Sequence, residues 1–105
     1  MSKMQREKGK RGEREVVALM REWGFEAKRG QQHRGGGDSP DVIHNIRDVH
    51  VEVKLREAFS LYPTLEHTRK EADDLIPVVF YRRNGKPWVA IMYADDYLNL
   101  EALRP

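Results

Sequence analysis

Residues 39–54 read SPDVIHNIRDVHVEVK, and this stretch decides the fold. Its two β-forming runs, residues 41–46 and 49–54, are separated by two polar residues, which predicts a β-hairpin. In the second run every other residue is a valine, and polar residues stand between the valines. Because side chains two positions apart on a strand share a face, we expect Glu52 and Lys54 to project together, opposite the valines.

The register of this hairpin adds a second carboxylate to the same face. The spacing allows two positions for a tight turn between the strands. In both, odd-numbered residues of the first strand lie opposite even-numbered residues of the second. Asp41 is therefore expected beside Glu52 and Lys54. Asp38 is the alternative to Asp41, although it lies outside the strand. His50 shares the face too and is interpreted as a neighbour of the carboxylates rather than as a ligand.

Two carboxylates held side by side indicate a bound cation. Like charges placed opposite each other destabilise neighbouring strands, and Mg²⁺ prefers carboxylate oxygens, water and the phosphate oxygens of a substrate. A lysine beside such a site can orient or deprotonate a water, or neutralise charge that builds on a phosphate. A Glu-X-Lys pair taken alone is more often an exposed salt bridge, so the case depends on the nearby aspartate.

The rest of the chain predicts an α/β arrangement. The length of 105 residues predicts a single domain over residues 1–105. The basic segment 1–11 is expected to be frayed at its start, and a flexible glycine-rich loop is expected at 30–40. The other predicted elements are, in chain order, a helix from Gly12 or Glu13 to Trp23, a short strand over 25–29, the hairpin, a helix over 61–76, a strand over 78–81, a strand over 88–93 after an Asn84-Gly85 turn, and a last helix through Leu103. Four aromatic residues are interpreted as core or dimer surface: Trp23, Phe80, Tyr81 and Trp88.

Composition excludes several classes of site. The chain has no cysteine, which excludes a disulfide scaffold, a zinc–thiolate centre and cysteine catalysis. Its four histidines never stand three or four positions apart from one another, so a helical two-histidine zinc motif is excluded. No apolar run approaches the roughly 20 residues of a membrane helix, and no apolar signal sequence follows the charged N-terminus. We therefore expect a soluble cytoplasmic protein with no membrane partner.

The distribution of charge predicts a polyanionic partner. The chain carries 19 Lys or Arg and 17 Asp or Glu, for a net charge of +2. Residues 1–36 hold ten basic and five acidic side chains, whereas residues 37–105 hold nine and twelve. A basic leading third suits nucleic acid, and a solvated basic tail is the alternative. Because a chain this short builds only a modest core, dimerisation would supplement its stability.

Three motifs together carry a resemblance to a known family. Pro40-Asp41 followed by Glu52-X-Lys54 resembles the PD-(D/E)XK nuclease motif. Residues 8–15 (KGKRGERE), residues 24–29 (GFEAKR) and the glycine-rich loop into Asp41 are similar to the archaeal-type Holliday junction resolvases and their phage relatives. The resemblance implies a restriction-endonuclease-like αβββαβ core, with a mixed central sheet flanked by helices.

The resemblance also implies roles for individual residues. The implied catalytic residues are Glu13, Asp41, Glu52 and Lys54. The implied ligands of Mg²⁺, for which Mn²⁺ can substitute, are Asp41, Glu52, the backbone carbonyl of Val53 and, directly or through water, Glu13. Arg14 and Arg29 match basic residues of the family that serve DNA contact or catalysis, and the further residues expected to contact DNA are Lys8, Arg11, His33 and Arg34.

The implied activity is metal-dependent hydrolysis of paired strands of a four-way DNA junction by a homodimer, leaving a 5′-phosphate and a 3′-hydroxyl. The implied location is the cytoplasm, in association with the nucleoid, for a prokaryotic, archaeal or phage-encoded protein. Two alternatives stay open: a phage or repair nuclease acting on flaps, forks or duplex DNA, and a non-catalytic DNA-binding module on the same fold. The chain departs from the family pattern in its long glycine-rich loop and in ending soon after the last predicted helix, which leaves the loop's DNA contacts and the dimer surface open.

Overall fold

Eight helices and strands are seen in the computed structural model, which describes residues 3–30 and 41–105. In chain order they are α1 (Lys3–Glu22), β1 (Ala27–Arg29), β2 (Val42–His44), β3 (Val49–Leu55), α2 (Leu61–Ala72), β4 (Ile76–Arg82), β5 (Val89–Ile91) and α3 (Ala94–Ala102). None of the helices in these two ranges is long and apolar enough to cross a membrane. Several sequence predictions lie outside the described residues, namely those for the loop beyond Gly30, for His33, for Arg34 and for Asp38.

The strands form two sheets. β3, β4 and β5 make a mixed sheet in that order, with β3 parallel to β4 and β4 antiparallel to β5. The parallel pair requires a crossover connection, which α2 supplies. β1 and β2 make a separate antiparallel pair, so β3 lies at an edge of the three-stranded sheet. The predicted mixed sheet flanked by helices is confirmed.

The predicted hairpin between the two runs of residues 41–54 is wrong in its pairing. β2 pairs with β1, and this ladder is extended by the bonds that Gly30 N–H donates to the Asp41 carbonyl and Asn45 N–H donates to the Glu26 carbonyl. Asp48, at the turn, adopts φ 63°, and its carbonyl accepts a 2.8 Å hydrogen bond from Ile76 N–H. The turn therefore directs the chain into β3 alongside β4, and β2 pairs with β1 instead of with β3.

Helix α1 begins at Lys3, so the predicted start at Gly12 or Glu13 is also wrong. Neither Gly9 nor Gly12 interrupts α1, and the residues before Gly9 are mostly good helix formers. Gly12 is buried where α1 crosses β3: a Cβ there would lie 3.1 Å from Leu55 Cβ and 3.3 Å from Val53 Cγ1. A glycine at this position permits close helix–sheet packing rather than ending the helix.

The C-terminal end of α1 follows the predicted pattern. Gly24 has φ 88°, and the bonds from Gly24 N–H to the Arg21 carbonyl and from Phe25 N–H to the Met20 carbonyl form a Schellman motif. The second helix is shorter than predicted because Asp73, with φ 55°, ends it, and Ile76 belongs to β4 instead.

The main core lies between α1 and the valine face of β3. It consists of seven buried residues: Val16, Val17, Met20, Ala27, Val42, Val51 and Val53. Phe80 and Trp88 pack against it, whereas Trp23 is 77% exposed. Helix α2 covers the opposite face of the sheet. The polar residues of β3 therefore lie on the face that α2 covers.

Candidate active site

The Asp41 carboxylate is fixed against the edge of β3. Its Oδ2 atom accepts a 2.8 Å hydrogen bond from Val53 N–H, at the position where a neighbouring strand would otherwise pair. The N–H and carbonyl groups of one strand residue point to the same side. The Val53 carbonyl therefore also points to this edge, beside the Asp41 carboxylate.

Glu52 and Lys54 adjoin Asp41 as the sequence predicts. The Glu52 side chain is buried, and Lys54 Nζ lies 3.2 Å from Glu52 Oε1. Burial, and next the charge of Glu52, raise the pKa of Asp41 to about 6, against the lowering effects of Val53 N–H and of Lys54. The structure therefore places two acidic side chains next to each other, with one lysine beside Glu52.

Glu13 of α1 is a third carboxylate in this group. Burial raises the pKa of Glu13, the Asp41 charge raises it further, and the hydrogen bond from Arg29 lowers it. That bond runs from Arg29 Nε to Glu13 Oε1 at 3.1 Å. The structure thus brings together the four side chains predicted to be catalytic, and we call Glu13, Asp41, Glu52 and Lys54, with the Val53 carbonyl, the acidic cluster.

The acidic cluster fits a hard divalent cation. Carboxylate and carbonyl oxygens are the donors that Mg²⁺ prefers, and the raised pKa values of Asp41 and Glu13 show that their negative charges lack full compensation. A cation among these oxygens would supply the missing charge.

Helix α1 is anchored to the sheet by Glu15. Its carboxylate accepts two hydrogen bonds from Arg82, 2.8 and 3.1 Å long, and one from Trp88 Nε1. The bond to Arg82 lowers the pKa of Glu15. Because Glu13 lies on the same helix, this anchor also positions Glu13 relative to β3.

Two of the predicted DNA-contacting residues line one groove. Arg14 and Arg29 border a groove of about 350 Å³ together with Arg21 and Lys28, which the sequence did not single out. Arg29 links this groove to the acidic cluster through Glu13. Of the other predicted contacts, Lys8 lies on α1, and Arg11 on the same helix bonds to Asn84 Oδ1 and pairs with Glu15.

Sequence reasoning missed a second group of metal-compatible side chains. The ligand atoms of His50, Glu52 and Glu71 lie within 4.8 Å of one another. Glu71 comes from α2 and also contacts His67, four residues before it on the same helix. This His-X₃-Glu spacing was the available signal, but which strand α2 packs on cannot be read from the spacing.

Comparisons with known proteins agree with this geometry. A family model described as archaeal Holliday junction resolvase (Hjc) matches residues 4–104. The solved structure of Hjc from Archaeoglobus fulgidus, described as a Holliday junction resolvase from an archaeal hyperthermophile, is 21% identical to this chain. The match covers 78% of this chain and 74% of that one, with a TM-score of 0.58. The likeness shows a shared fold and confirms the expected restriction-endonuclease-like architecture. No curated protein matches significantly.

Proposed function

We propose that this chain, which belongs to the archaeal Holliday junction resolvase family, is a metal-dependent nuclease that cuts four-way DNA junctions. The observation that carries the proposal is the convergence of three carboxylates and a lysine at the edge of β3, within a chain that matches the family over nearly its whole length. We propose that it is a prokaryotic, archaeal or phage-encoded protein that acts at the nucleoid.

The acidic cluster would hold Mg²⁺, or Mn²⁺ in its place. Asp41, Glu52 and the Val53 carbonyl would be ligands, with Glu13 binding directly or through water. When bound, the cation supplies a Lewis acid that polarises a phosphoryl oxygen and lowers the pKa of water. Asp41 is preorganised for this task because Val53 N–H holds one of its oxygens at 2.8 Å.

Lys54 would act on the reacting groups themselves. Its ammonium lies 3.2 Å from Glu52 Oε1, so it is held at the rim of the carboxylate pair. From there it can orient the attacking water or neutralise charge on the phosphate as it reacts. The water oxygen forms the new bond to phosphorus while the P–O3′ bond breaks, and O3′ takes up a proton, which leaves a 5′-phosphate and a 3′-hydroxyl.

The groove at α1 and β1 would bind the DNA backbone. Arg14, Arg21, Lys28 and Arg29 line it, and arginine and lysine contacts to phosphates hold DNA without reading its sequence. Arg29 Nε is also bonded to Glu13, so a bound strand would pass next to the acidic cluster. Binding should weaken steeply with salt because bound counterions are released from the DNA.

We further propose that the chain acts as a homodimer, so that two sites cut two strands. Helix α3 supports this because it has no buried residue, while Tyr97 and Leu98 on the helix and Leu103 just after it are 51%, 59% and 74% exposed. A helix with this much uncovered apolar surface is typical of an interface. Sedimentation of the free protein would test the dimer directly.

Cleavage of defined substrates tests the nuclease proposal. We would incubate the chain with labelled four-way junction, flap and linear duplex, in Mg²⁺ and in EDTA. The wild type should cut the junction symmetrically in Mg²⁺ alone. Glu52→Gln should bind the junction without cutting it, while Glu66→Gln, an exposed glutamate on α2, should behave as the wild type. Equal cutting of duplex would reject junction specificity, and binding without cleavage in Mg²⁺ or Mn²⁺ would reject the enzyme.

A further inference from the structure

His50 has a buried ring nitrogen with no hydrogen bond. Its Nε2 atom finds no partner within the part of the chain that the structure describes, and its side chain is 11% exposed. Glu71 Oε2 lies 4.0 Å from it, which is too far for a hydrogen bond. A buried polar atom without a partner costs free energy, so a group that bonds to His50 Nε2 between β3 and α2 would be stabilising.

The spacing of the surrounding donors suits a metal ion. Ligand atoms of His50, Glu52 and Glu71 all lie within 4.8 Å of one another. An ion with ligand distances of about 2.0–2.2 Å holds two ligand atoms at most about 4.2 Å apart, and only when they lie on opposite sides of the ion. Binding would therefore draw the three side chains closer together than the 4.0 Å seen between His50 Nε2 and Glu71 Oε2. A direct hydrogen bond between protonated histidine and carboxylate would bring these atoms to about 2.8 Å.

His67 holds the Glu71 carboxylate in position. Its Nε2 atom contacts Glu71 Oε1, which leaves Oε2 directed toward His50. Partners of this kind orient metal ligands from outside the coordination sphere. His44 has a different role, because its Nδ1 accepts a 3.0 Å hydrogen bond from the backbone N–H of Ile46.

We propose that His50, Glu52 and Glu71 bind a transition-metal cation, with His67 as a positioning residue for Glu71. One imidazole and two carboxylates suit Mn²⁺ or Zn²⁺ better than Mg²⁺, which takes oxygen donors. The site would join α2 to β3. Glu52 would then bind two cations, this one and the cation of the acidic cluster. Its binding of both rests on the proposed nuclease function, whereas binding by His50 and Glu71 does not.

Mn²⁺ binding to the full-length, untagged chain tests the proposal. Free Mn²⁺ is measured by electron paramagnetic resonance, and a nitrogen ligand is detected in the pulsed spectrum as a ¹⁴N coupling. The wild type should show this coupling. His50→Gln should remove it, Glu71→Gln should weaken binding at this site at least tenfold, and the matched control Glu66→Gln should change neither.

The two cation sites are separated by Asp41→Asn, which changes a proposed ligand of the acidic cluster that is not one of the three ligands proposed for this site. This variant should keep the ¹⁴N-coupled ion. Loss of that ion in Asp41→Asn would overturn the proposal that the two sites are distinct. The proposal is equally overturned if the wild type shows no coupling at saturating Mn²⁺, or if Glu71→Gln binds as tightly as the wild type. Should His50→Gln fail to fold, Glu71→Gln still decides the matter, because Glu71 is an exposed helix residue. Absence of junction cleavage with the coupling intact would reject only the nuclease function.

Discussion

Replacing Asp41 by asparagine should stabilise the fold while destroying the proposed activity. Raising the pKa of Asp41 from 3.8 to about 6 corresponds to about 3 kcal/mol of unfolding free energy, since one pKa unit is worth about 1.4 kcal/mol. The unfolded chain loses this proton near pH 4 and the folded chain only near pH 6. Wild-type stability therefore falls as pH rises through this interval, and asparagine, which still accepts the Val53 hydrogen bond, avoids the loss.

Urea denaturation in metal-free buffer between pH 3.5 and 8 measures this effect. The stability difference between Asp41→Asn and the wild type should be near zero below about pH 4 and reach about 3 kcal/mol by pH 7. Asp74→Asn, which changes an exposed carboxylate after α2, should give a small difference at all pH values. A difference that does not grow with pH, or an asparagine variant less stable than the wild type at pH 7, would refute the account of Asp41.

Four further substitutions have expected outcomes. Gly9→Ala should raise the unfolding free energy by about 1 kcal/mol through helix propensity, because nothing lies within 4 Å of its new Cβ. Gly12→Ala should lower it by about 1–3 kcal/mol, because β3 side chains lie 3.1 and 3.3 Å from that Cβ; equal urea midpoints for the two variants would contradict this. Glu15→Gln, which breaks the ion pair with Arg82, should cost about 1–2 kcal/mol at pH 7. Because the pKa of Glu15 is lowered in the folded chain from its ordinary 4.5, this cost should be present above pH 4.5 and be lost as the pH falls through the lower folded-state pKa, the opposite trend to that of Asp41→Asn; a cost independent of pH would count against it. Lys54→Met should cut junction DNA at least about 100-fold more slowly while binding it as the wild type does, and a parallel loss of affinity in gel-shift titrations would argue for a binding role instead.

The acidic cluster can be predicted from the sequence because most of its residues lie close together along the chain. Alternation of valine with polar residues assigns Glu52 and Lys54 to one face of β3 whichever strand lies beside it. Asp41 was placed next to them through a hairpin that does not form, yet it reaches Val53 N–H through its side chain. The predicted hairpin and the observed pairing of β2 with β1 both bring the chain before Val42 to the edge of β3. Asp41 therefore lies beside Glu52 in either case.

Features that depend on tertiary packing could not be predicted in this way. Glycine occurs both in turns and at close contacts between elements, so the sequence alone does not show that Gly12 lies within the helix at its contact with β3. The approach of Glu71 to His50 depends on α2 crossing over β3. No periodicity within α2 or β3 encodes that distance.

The hydrogen bond between Asp41 and Val53 also affects how copies of the chain can associate. An exposed edge strand offers free N–H and carbonyl groups on which another chain can add a strand, and natural proteins block such edges. β3 is an edge strand rich in valine, a composition prone to such pairing. The Asp41 carboxylate occupies the donor in the middle of this edge and adds a negative charge there. The residue proposed to hold the cation therefore also protects the sheet against intermolecular strand addition.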